Sequence, residues 1–229
     1  MTDAVAALKR DAAEAAVDAE VRSGMTLGLG TGSTAAFLLD GLAARLDSGA
    51  LEAITGVPTS EVTAARCREL GIPLATLEER PRLDLAIDGA DEITPELDLI
   101  KGLGGAHLRE KVVAASAARF VIVADDSKLV ARLGEHAPLP VEIITFAYPL
   151  CERLLAEAGW TPELRSGDAA PFVTDEGNHI ADCRRADWSD PARLAAELDA
   201  MPGVVAHGMF LGMAAAAYVA TPDGVRVLP

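Results

Sequence analysis

The sequence predicts an α/β protein: a doubly wound, Rossmann-like and mostly parallel sheet, with a second, smaller α+β ferredoxin-like domain. In the first half, helical periodicity alternates with short strands that are apolar on both faces, as in a parallel sheet covered by helices. In residues 133–207, the predicted order of strand, helix, strand, strand, helix, strand is the split βαβ pattern. We therefore predict a first domain at 1–132 plus 208–229 and a small second domain at 133–207.

Local signals place the elements of the first domain. Residues 5–21 form an Ala-rich amphipathic pattern, typical of a helix, and TLGLG follows as a short buried strand. The next helix opens on the cap residues Ser33 and Thr34. A third helix from about residue 59 ends at Gly71, shortly before Pro73. The remaining predictions are strands at 52–58, 73–77, 83–87 and 119–124, a helix at 108–117, and a closing hairpin within 214–229.

Apolar runs and helical periodicity also place the elements of the second domain. Helices are predicted at 149–159 and 190–200, and strands at 141–146, 162–166, 178–184 and 204–210. The turn at Glu176 to Asn178 fits the central hairpin of the split βαβ pattern.

Composition disfavours several classes of function. The chain has 35 Asp and Glu against 20 Lys and Arg, a net charge of −15, so its field repels nucleic acids and anionic lipids. No apolar run approaches the roughly 20 residues of a membrane span. The acidic, Ala-rich first residues do not resemble an export signal, which indicates a cytoplasmic protein. The three cysteines are far apart, so we expect reduced thiols without a disulfide or zinc site.

Three predicted strands end in polar turns: residues 31–34, 88–91 and 125–128. In an open parallel sheet, ligands bind beyond the carboxyl ends of the strands. Gly, Asp, Ser and Thr also occupy turns and helix caps for local reasons, so one such turn would be weak evidence. Three at one edge indicate a functional site.

The first of these turns fits a small phosphate site better than a nucleotide site. A dinucleotide fingerprint would require a further glycine near Ser33 and an acidic residue after the second strand. A nucleotide triphosphate loop would require Lys where Gly32 stands. What remains is a strand, two glycines and hydroxyl residues that open a helix, which suits a phosphate held by backbone N–H groups.

Residues 88–111 contain most of the candidate catalytic side chains, namely Asp88, Asp91, Lys101 and Glu110, around a glycine-rich loop. Carboxylates and a lysine in one cleft shift the pKa values of one another, which can poise a Glu as a base. The structural alternatives are a capping role for Asp88, a solvated Asp91 and a surface ion pair for Glu110. Among the four histidines, which lack metal-ligand spacing, only His107 is near this cluster.

Six segments together resemble ribose-5-phosphate isomerase of the A type, over a match that runs from about Lys9 to the closing TPDG. They are, in chain order, GLGTGSTA, DLAIDGADEI, KGLGGAHLREK, ADDSK, PLPVEI and PGVVAHGMF. The resemblance implies interconversion of D-ribose 5-phosphate and D-ribulose 5-phosphate through a cis-enediolate, in the non-oxidative pentose phosphate pathway. It also implies no metal or organic cofactor, and a homodimer or homotetramer.

The resemblance also implies roles for individual residues. Glu110 matches the base, and Asp88, Asp91 and Lys101 match residues that hold the sugar, assist ring opening and stabilise the enediolate. The implied substrate-binding positions are Thr31, Gly32, Ser33, Thr34, Asp88, Gly89, Ala90, Asp91, Lys101, Gly102, Leu103, Gly104 and Lys128. Lys9 fits a lysine associated with phosphate, but its surroundings align loosely and it is left out of the predicted site.

Two other classes of function remain open from the residues alone. Another enzyme of similar fold, such as a sugar-phosphate deaminase, a lactonase or a coenzyme A transferase, could use the same Glu differently. A sugar-phosphate sensor without catalysis is the second alternative, although the acidic charge and the lack of a helix-turn-helix pattern argue against a DNA-binding regulator.

Overall fold

The structure, a computed structural model, describes residues 3–167 and 170–229, which form two compact units. Unit 1 comprises the described residues of Met1–Ala90 together with Arg109–Lys128 and Gly212–Pro229. Unit 2 comprises Asp91–Leu108 and the described residues of Leu129–Leu211. Asp91–Leu108, assigned to the first domain in the sequence analysis, thus groups with unit 2, and the domain boundaries stay a prediction.

The helices and strands follow in chain order. The helices are α1 Asp3–Glu20, α2 Ser33–Asp47, α3 Glu61–Glu69, α4 His107–Ser116, α5 Tyr148–Glu157 and α6 Pro191–Asp199. The strands are β1 Thr26–Leu29, β2 Thr55–Pro58, β3 Leu85–Asp88, β4 Glu92–Ile93, β5 Leu99–Ile100, β6 Phe120–Asp125, β7 Leu139–Ile143, β8 Thr161–Leu164, β9 His179–Arg184, β10 Val204–His207, β11 Met209–Phe210, β12 Ala216–Thr221 and β13 Gly224–Leu228.

Unit 1 is built on a six-stranded sheet of order β13-β12-β6-β3-β1-β2. All neighbouring strands are parallel except the closing pair β12 and β13, which form the predicted hairpin. Every residue of β6 is buried, as expected for a central strand covered on both faces. Small residues of α1, including Ala12, Ala13 and Ala16, are fully buried in the same core. The predicted mostly parallel α/β sheet is confirmed.

Unit 2 contains a four-stranded antiparallel sheet of order β10-β7-β9-β8. Numbered within the split βαβ pattern this order is 4-1-3-2, the arrangement of a ferredoxin-like fold. Helices α5 and α6 contribute Leu155 and Leu198 to its core, where Trp160 and Trp188 pack edge to face. The predicted α+β ferredoxin-like fold class is confirmed for this sheet.

Three local predictions were wrong. Residues 73–77 form only an isolated bridge, between Gly56 and Leu74. The strand predicted at 141–146 ends at Ile143, and the chain then forms a 3-10 turn, Thr145–Ala147. The strand predicted at 204–210 is divided at Gly208 into β10 and β11, and β11 joins β4 and β5 in an unpredicted three-stranded sheet.

Cys67, Cys151 and Cys183 are free, and all three are buried. Burial raises the pKa of the Cys67 thiol to about 11 and raises the pKa values of Cys151 and Cys183 as well, because a thiolate is poorly solvated there. Within residues 3–167 and 170–229, none of the helices combines the length and apolar character that crossing a bilayer needs. In the same residues, no group of three or more His, Cys, Asp or Glu side chains is arranged to hold a metal ion.

Candidate active site

Three polar turns lie at one edge of the unit 1 sheet. Strands β6, β3 and β1 are adjacent and parallel, so their carboxyl ends point in the same direction. The turns that follow these strands contain residues 126–128, 89–90 and 30–34, respectively. This is the arrangement in which open parallel sheets bind ligands, and it places one group of the predicted residues in unit 1.

Asp88 connects two of these turns. Its carboxyl is buried, and its Oδ1 accepts hydrogen bonds from the backbone N–H groups of Thr31 at 3.1 Å and Gly89 at 2.7 Å. Gly30 makes this approach possible, because a Cβ at that position would lie only 2.1 Å from Asp88 Oδ1. Asp88 Oδ1 therefore has the capping role that was considered for this residue, and these hydrogen bonds hold the carboxyl at the edge of the sheet.

Gly30→Ala is expected to destabilise unit 1 by about 1–3 kcal/mol, the usual cost of overpacking a tight core. The added methyl group would also meet Asp88 Cα at 2.6 Å, so strand backbone must move. The matched control is Gly41→Ala in the middle of α2, whose added Cβ meets only the flexible end of Arg45, at 3.3 Å. Replacing this helical glycine is expected to raise stability by about 0.5–1 kcal/mol. Urea unfolding measures both, and equal midpoints would contradict the close-approach argument.

The side chain of Thr31 points into the protein. Its Oγ1 lies 2.7 Å from Thr59 Oγ1, 2.8 Å from Ser60 Oγ and 3.0 Å from Thr63 Oγ1. Thr63 Oγ1 also donates to the carbonyl of Gly30. This hydroxyl cluster joins the turn after β1 to the start of α3, so the Thr31 hydroxyl is already engaged in shaping the turn.

The exposed part of the same turn is the N-terminus of α2. Gly32, the residue before the helix, has a φ of +110°, a conformation that favours glycine. Gly32 and Ser33 are exposed, whereas Thr34 is buried. Lys9 of α1 donates from Nζ to Ser33 Oγ at 2.7 Å. A helix N-terminus with an added ammonium group is suited to an anion.

The turn after β6 is organised by a second buried aspartate. Asp125 accepts hydrogen bonds from the backbone N–H of Ser127, at 3.1 Å, and from the Ser127 hydroxyl. These bonds lie at the start of the 3-10 turn Asp126–Lys128, in which Lys128 is half-buried at the edge of the sheet. Lys128 therefore adds a cation near the carboxyl ends of the central strands.

Glu110 lies in the first turn of α4 and is only 5% exposed. Helix α4 packs closely on the sheet, because a Cβ on Gly28 of β1 would lie 2.4 Å from Val113 Cγ1. Burial rules out the exposed charge considered as an alternative for Glu110. The preceding residue, Arg109, does form a surface ion pair, with its Nη1 2.9 Å from Glu61 Oε1. Glu110 is thus a buried carboxyl near the N-terminal end of a helix, where the dipole favours negative charge.

Unit 2 holds the second group of predicted residues, around its three-stranded sheet. Strands β4 and β5 are antiparallel, with Glu92 opposite Ile100. This register, continued by one residue, places Asp91 opposite Lys101. The Lys101 side chain is 3% exposed, with Nζ 5.5 Å from the centroid of the Phe210 ring. Asp91 Oδ2 accepts a hydrogen bond from the backbone N–H of Leu103, at 2.9 Å.

His107 supports the glycine-rich loop from inside unit 2. A Cβ on Gly102 would lie 2.7 Å from His107 Nδ1, so the ring is packed directly against the loop. On its other side, His107 Nε2 lies 3.8 Å from Glu142 Oε2. Burial raises the pKa of Glu142, whose Oε1 accepts hydrogen bonds from Thr174 and Asn178. His107 is therefore a buried packing residue of unit 2.

The predicted residues thus fall into two groups, each described within its own unit. The unit 1 group contains Thr31, Gly32, Ser33, Thr34, Asp88, Gly89, Ala90, Glu110 and Lys128, and the unit 2 group contains Asp91, Lys101, Gly102, Leu103 and Gly104. Lys9, which the sequence analysis left out, contacts Ser33. The evidence for Lys9 in the sequence is weak, because a single lysine on an Ala-rich helix belongs to no recognisable motif.

The chain is similar to known proteins over most of its length. The model of the ribose 5-phosphate isomerase A (phosphoriboisomerase A) family matches residues 55–224. The chain is 66% identical over 206 residues to ribose-5-phosphate isomerase A of Roseiflexus sp. (strain RS-1), which covers 90% of this chain and 88% of the relative. Ribose 5-phosphate isomerase A from Methanocaldococcus jannaschii is similar in structure, with a TM-score of 0.92, 42% identity and coverage of 97% and 98%. A D-ribose-5-phosphate isomerase in complex with phospho-erythronic acid gives a TM-score of 0.95, 37% identity and coverage of 100% and 99%.

Proposed function

Since the chain belongs to the ribose 5-phosphate isomerase A family, we propose that Glu110 is the general base with which it interconverts D-ribose 5-phosphate and D-ribulose 5-phosphate. The family resemblance found in the sequence is confirmed, and the chain is an isomerase of ribose 5-phosphate. The observation that carries the assignment of the base is the burial of Glu110 in the first turn of α4. There the carboxyl is shielded from bulk water and lies near the N-terminal end of a helix, where the dipole favours negative charge.

The reaction requires one proton to move between two carbons. Glu110 takes the proton from C2 of the open-chain aldose, the C2–H electron pair becomes the C1=C2 bond, and the carbonyl electron pair moves to O1. Within the cis-enediolate, the proton of the C2 hydroxyl passes to O1, so that the negative charge moves from O1 to O2. In the second half, the O2 electron pair forms the C2=O bond of the ketose, and the C1=C2 electron pair takes the proton back from Glu110 at C1. The carboxylate is regenerated, so a single base serves both halves.

The other predicted residues bind the substrate and stabilise charge in this proposal. The ammonium of Lys101 stabilises the negative charge that develops on the enediolate oxygens. Asp88 and Asp91 accept hydrogen bonds from the sugar hydroxyls and assist ring opening, and the backbone of Gly102, Leu103 and Gly104 contacts the sugar. No step needs an electron acceptor or a Lewis acid, so we propose a reaction without metal or organic cofactor.

The phosphate group is assigned to the N-terminus of α2. Gly32, Ser33 and Thr34 offer backbone N–H groups there, and Lys9 brings an ammonium to Ser33 Oγ. This is the combination of dipole and cation that binds phosphate elsewhere. Lys128 is placed in the same proposal as a second cation of the substrate-binding residues.

We also propose a cytoplasmic homodimer, or a tetramer built from it. Phe146 is 94% exposed, and Ile144, Leu150 and Val205 of the same unit are also exposed. Exposed apolar side chains that cluster on a surface are typical of protein interfaces, and Ile144, Phe146 and Leu150 lie close together in the chain. Three free thiols are in keeping with a reducing compartment.

The proposed function is tested by assaying purified, metal-free protein with ribose 5-phosphate and following ketose absorbance, with and without a chelator. Turnover is expected in both directions, unchanged by the chelator, to the same equilibrium mixture from either sugar. Loss of activity in chelator that added divalent metal restores would contradict the cofactor-free mechanism. Calorimetric binding of ribose 5-phosphate without any turnover would instead favour the sugar-phosphate sensor.

A further inference from the structure

The glycine-rich loop after Lys101 needs external support to keep one conformation. Gly102 and Gly105 have φ values of +106° and +82°, and glycine has more backbone freedom than any other residue. One backbone hydrogen bond closes the loop, from Gly105 N–H to the Gly102 carbonyl. The proposed function places Gly102, Leu103 and Gly104 against the substrate, so the precision of this loop matters to the reaction.

Arg165 supplies such support from the end of β8. Its Nη1 donates to the carbonyl of Gly102 at 2.9 Å and to that of Leu103 at 3.2 Å. Its guanidinium also lies 5.8 Å from the centroid of the Phe172 ring, and a Cβ on Gly105 would lie 2.5 Å from that ring. Arg165 and Phe172 therefore contact the loop at both of its ends.

Asp182 of β9 holds the guanidinium in place. Arg165 Nε donates to one carboxylate oxygen of Asp182 at 2.9 Å, and Nη2 donates to the other. The two side chains are only 12% and 23% exposed. This two-point pairing fixes the plane of the guanidinium, which leaves the remaining nitrogen, Nη1, directed at the loop carbonyls.

The same peptide group is held on its other side by Asp91. The Leu103 N–H donates to Asp91 Oδ2, while Arg165 binds the carbonyls of Gly102 and Leu103. A shift of the loop therefore changes the hydrogen bond that orients the Asp91 carboxylate. We propose that Arg165, oriented by Asp182, is a positioning residue for the reaction: it sets the Gly102–Leu103 peptide and, through it, the Asp91 carboxylate. This inference rests on the proposed roles of Asp91 and the loop.

The contacts that Arg165 makes require an arginine and could not be made by a lysine. Three different nitrogens make the contacts, two with the carboxylate and one with the carbonyls. A lysine ammonium is a single point and cannot span both sets of acceptors. Arg165→Lys is therefore expected to keep the positive charge but to lose the simultaneous contacts with Asp182 and the loop carbonyls. Asp182→Asn is expected to keep the size of the side chain but to hold the guanidinium less firmly, because one carboxylate acceptor is lost.

The test measures kcat, KM and thermal stability of Arg165→Lys and Asp182→Asn, well below the unfolding temperature. For Arg165→Lys we expect kcat to fall about tenfold or more and KM for ribose 5-phosphate to rise about threefold or more, since small misplacements of binding groups are costly. A purely structural role would lower the active fraction and leave KM unchanged. The matched control is Arg119→Lys, which changes an equally bidentate pair with Glu20 in unit 1 and is expected to keep both kinetic constants.

Amide hydrogen exchange gives a readout independent of activity. The Leu103 amide, which donates to Asp91, is expected to exchange at least tenfold faster in both variants. The Lys101 amide, which donates to the Gly208 carbonyl, is expected to keep its protection. Wild-type kinetic constants in both variants, with unchanged Leu103 exchange, would overturn the inference. An inactive wild-type protein would instead contradict the proposed function, so the two failures are distinguishable.

Discussion

Glu110→Gln is expected to lower kcat about a hundredfold or more, within the usual range for removing a positioned general base. Gln has nearly the same size and keeps a polar group at this 5% exposed position in the first turn of α4, so the fold should persist. The amide cannot accept the C2 proton, whereas it can still make hydrogen bonds. KM for ribose 5-phosphate is therefore expected to change by less than a few fold.

The measurement pairs turnover with exchange of the substrate C2 hydrogen against deuterated water. Both should fall together in Glu110→Gln, because proton removal precedes the exchange and the isomerisation alike. Glu61→Gln is the matched control: Glu61 is exposed and contacts Arg109, the neighbour of Glu110 on α4. It is expected to retain wild-type turnover. Exchange that continues at the wild-type rate in Glu110→Gln would move the base to another residue.

The parallel sheet could be predicted because its signal is local and repeated. Residues 120–125 are buried throughout, and all of them are apolar except the closing Asp125. The side chain of Asp125 accepts hydrogen bonds from the turn that follows. Such continuous runs between helical segments have few other folded solutions. The position of Asp88 beside the turn after β1 then follows, since neighbouring parallel strands end at the same edge.

The three-stranded sheet of unit 2 could not be predicted, because its strands are two residues long. Glu92–Ile93 and Leu99–Ile100 are too short to show a period of two. Their conformation depends on partners distant in sequence, as where Lys101 N–H donates to the carbonyl of Gly208. Gly208 is also where the predicted strand 204–210 divides, because its N–H donates to the Pro140 carbonyl of β7 while its carbonyl accepts from Lys101, next to β5. A side chain would not fit there, since a Cβ would lie 2.2 Å from the Lys101 carbonyl oxygen.

Side-chain directions within the predicted site depended equally on distant contacts. Thr31 was predicted among the substrate-binding residues, and its hydroxyl lies instead among those of Thr59, Ser60 and Thr63. Its backbone N–H is bonded to Asp88. A binding role for Thr31 stays a prediction. Arg165 could not be singled out in the sequence, because it is one arginine among many and the Gly102 carbonyl that it contacts is 63 residues away along the chain.

Lys101→Met is expected to lower kcat/KM by about a hundred- to a thousandfold, the range found when one group that stabilises a developing oxyanion is removed. Lys101 is 3% exposed and its ammonium lies over the Phe210 ring, so Met fills the space of the stem without the charge. Lys101→Arg keeps the charge and should also be harmful, because the larger planar guanidinium must fit where a compact ammonium lies.

Steady-state kinetics of both variants separate the two requirements, charge and shape. If charge and shape both matter, Lys101→Met and Lys101→Arg are each impaired, with the Met variant the slower. The control is Lys111→Arg, which makes the same replacement at a half-buried position of α4 and is expected to keep wild-type turnover. Retained activity in Lys101→Arg would show that a positive charge alone is sufficient. Retained activity in Lys101→Met would remove Lys101 from the stabilisation of the enediolate.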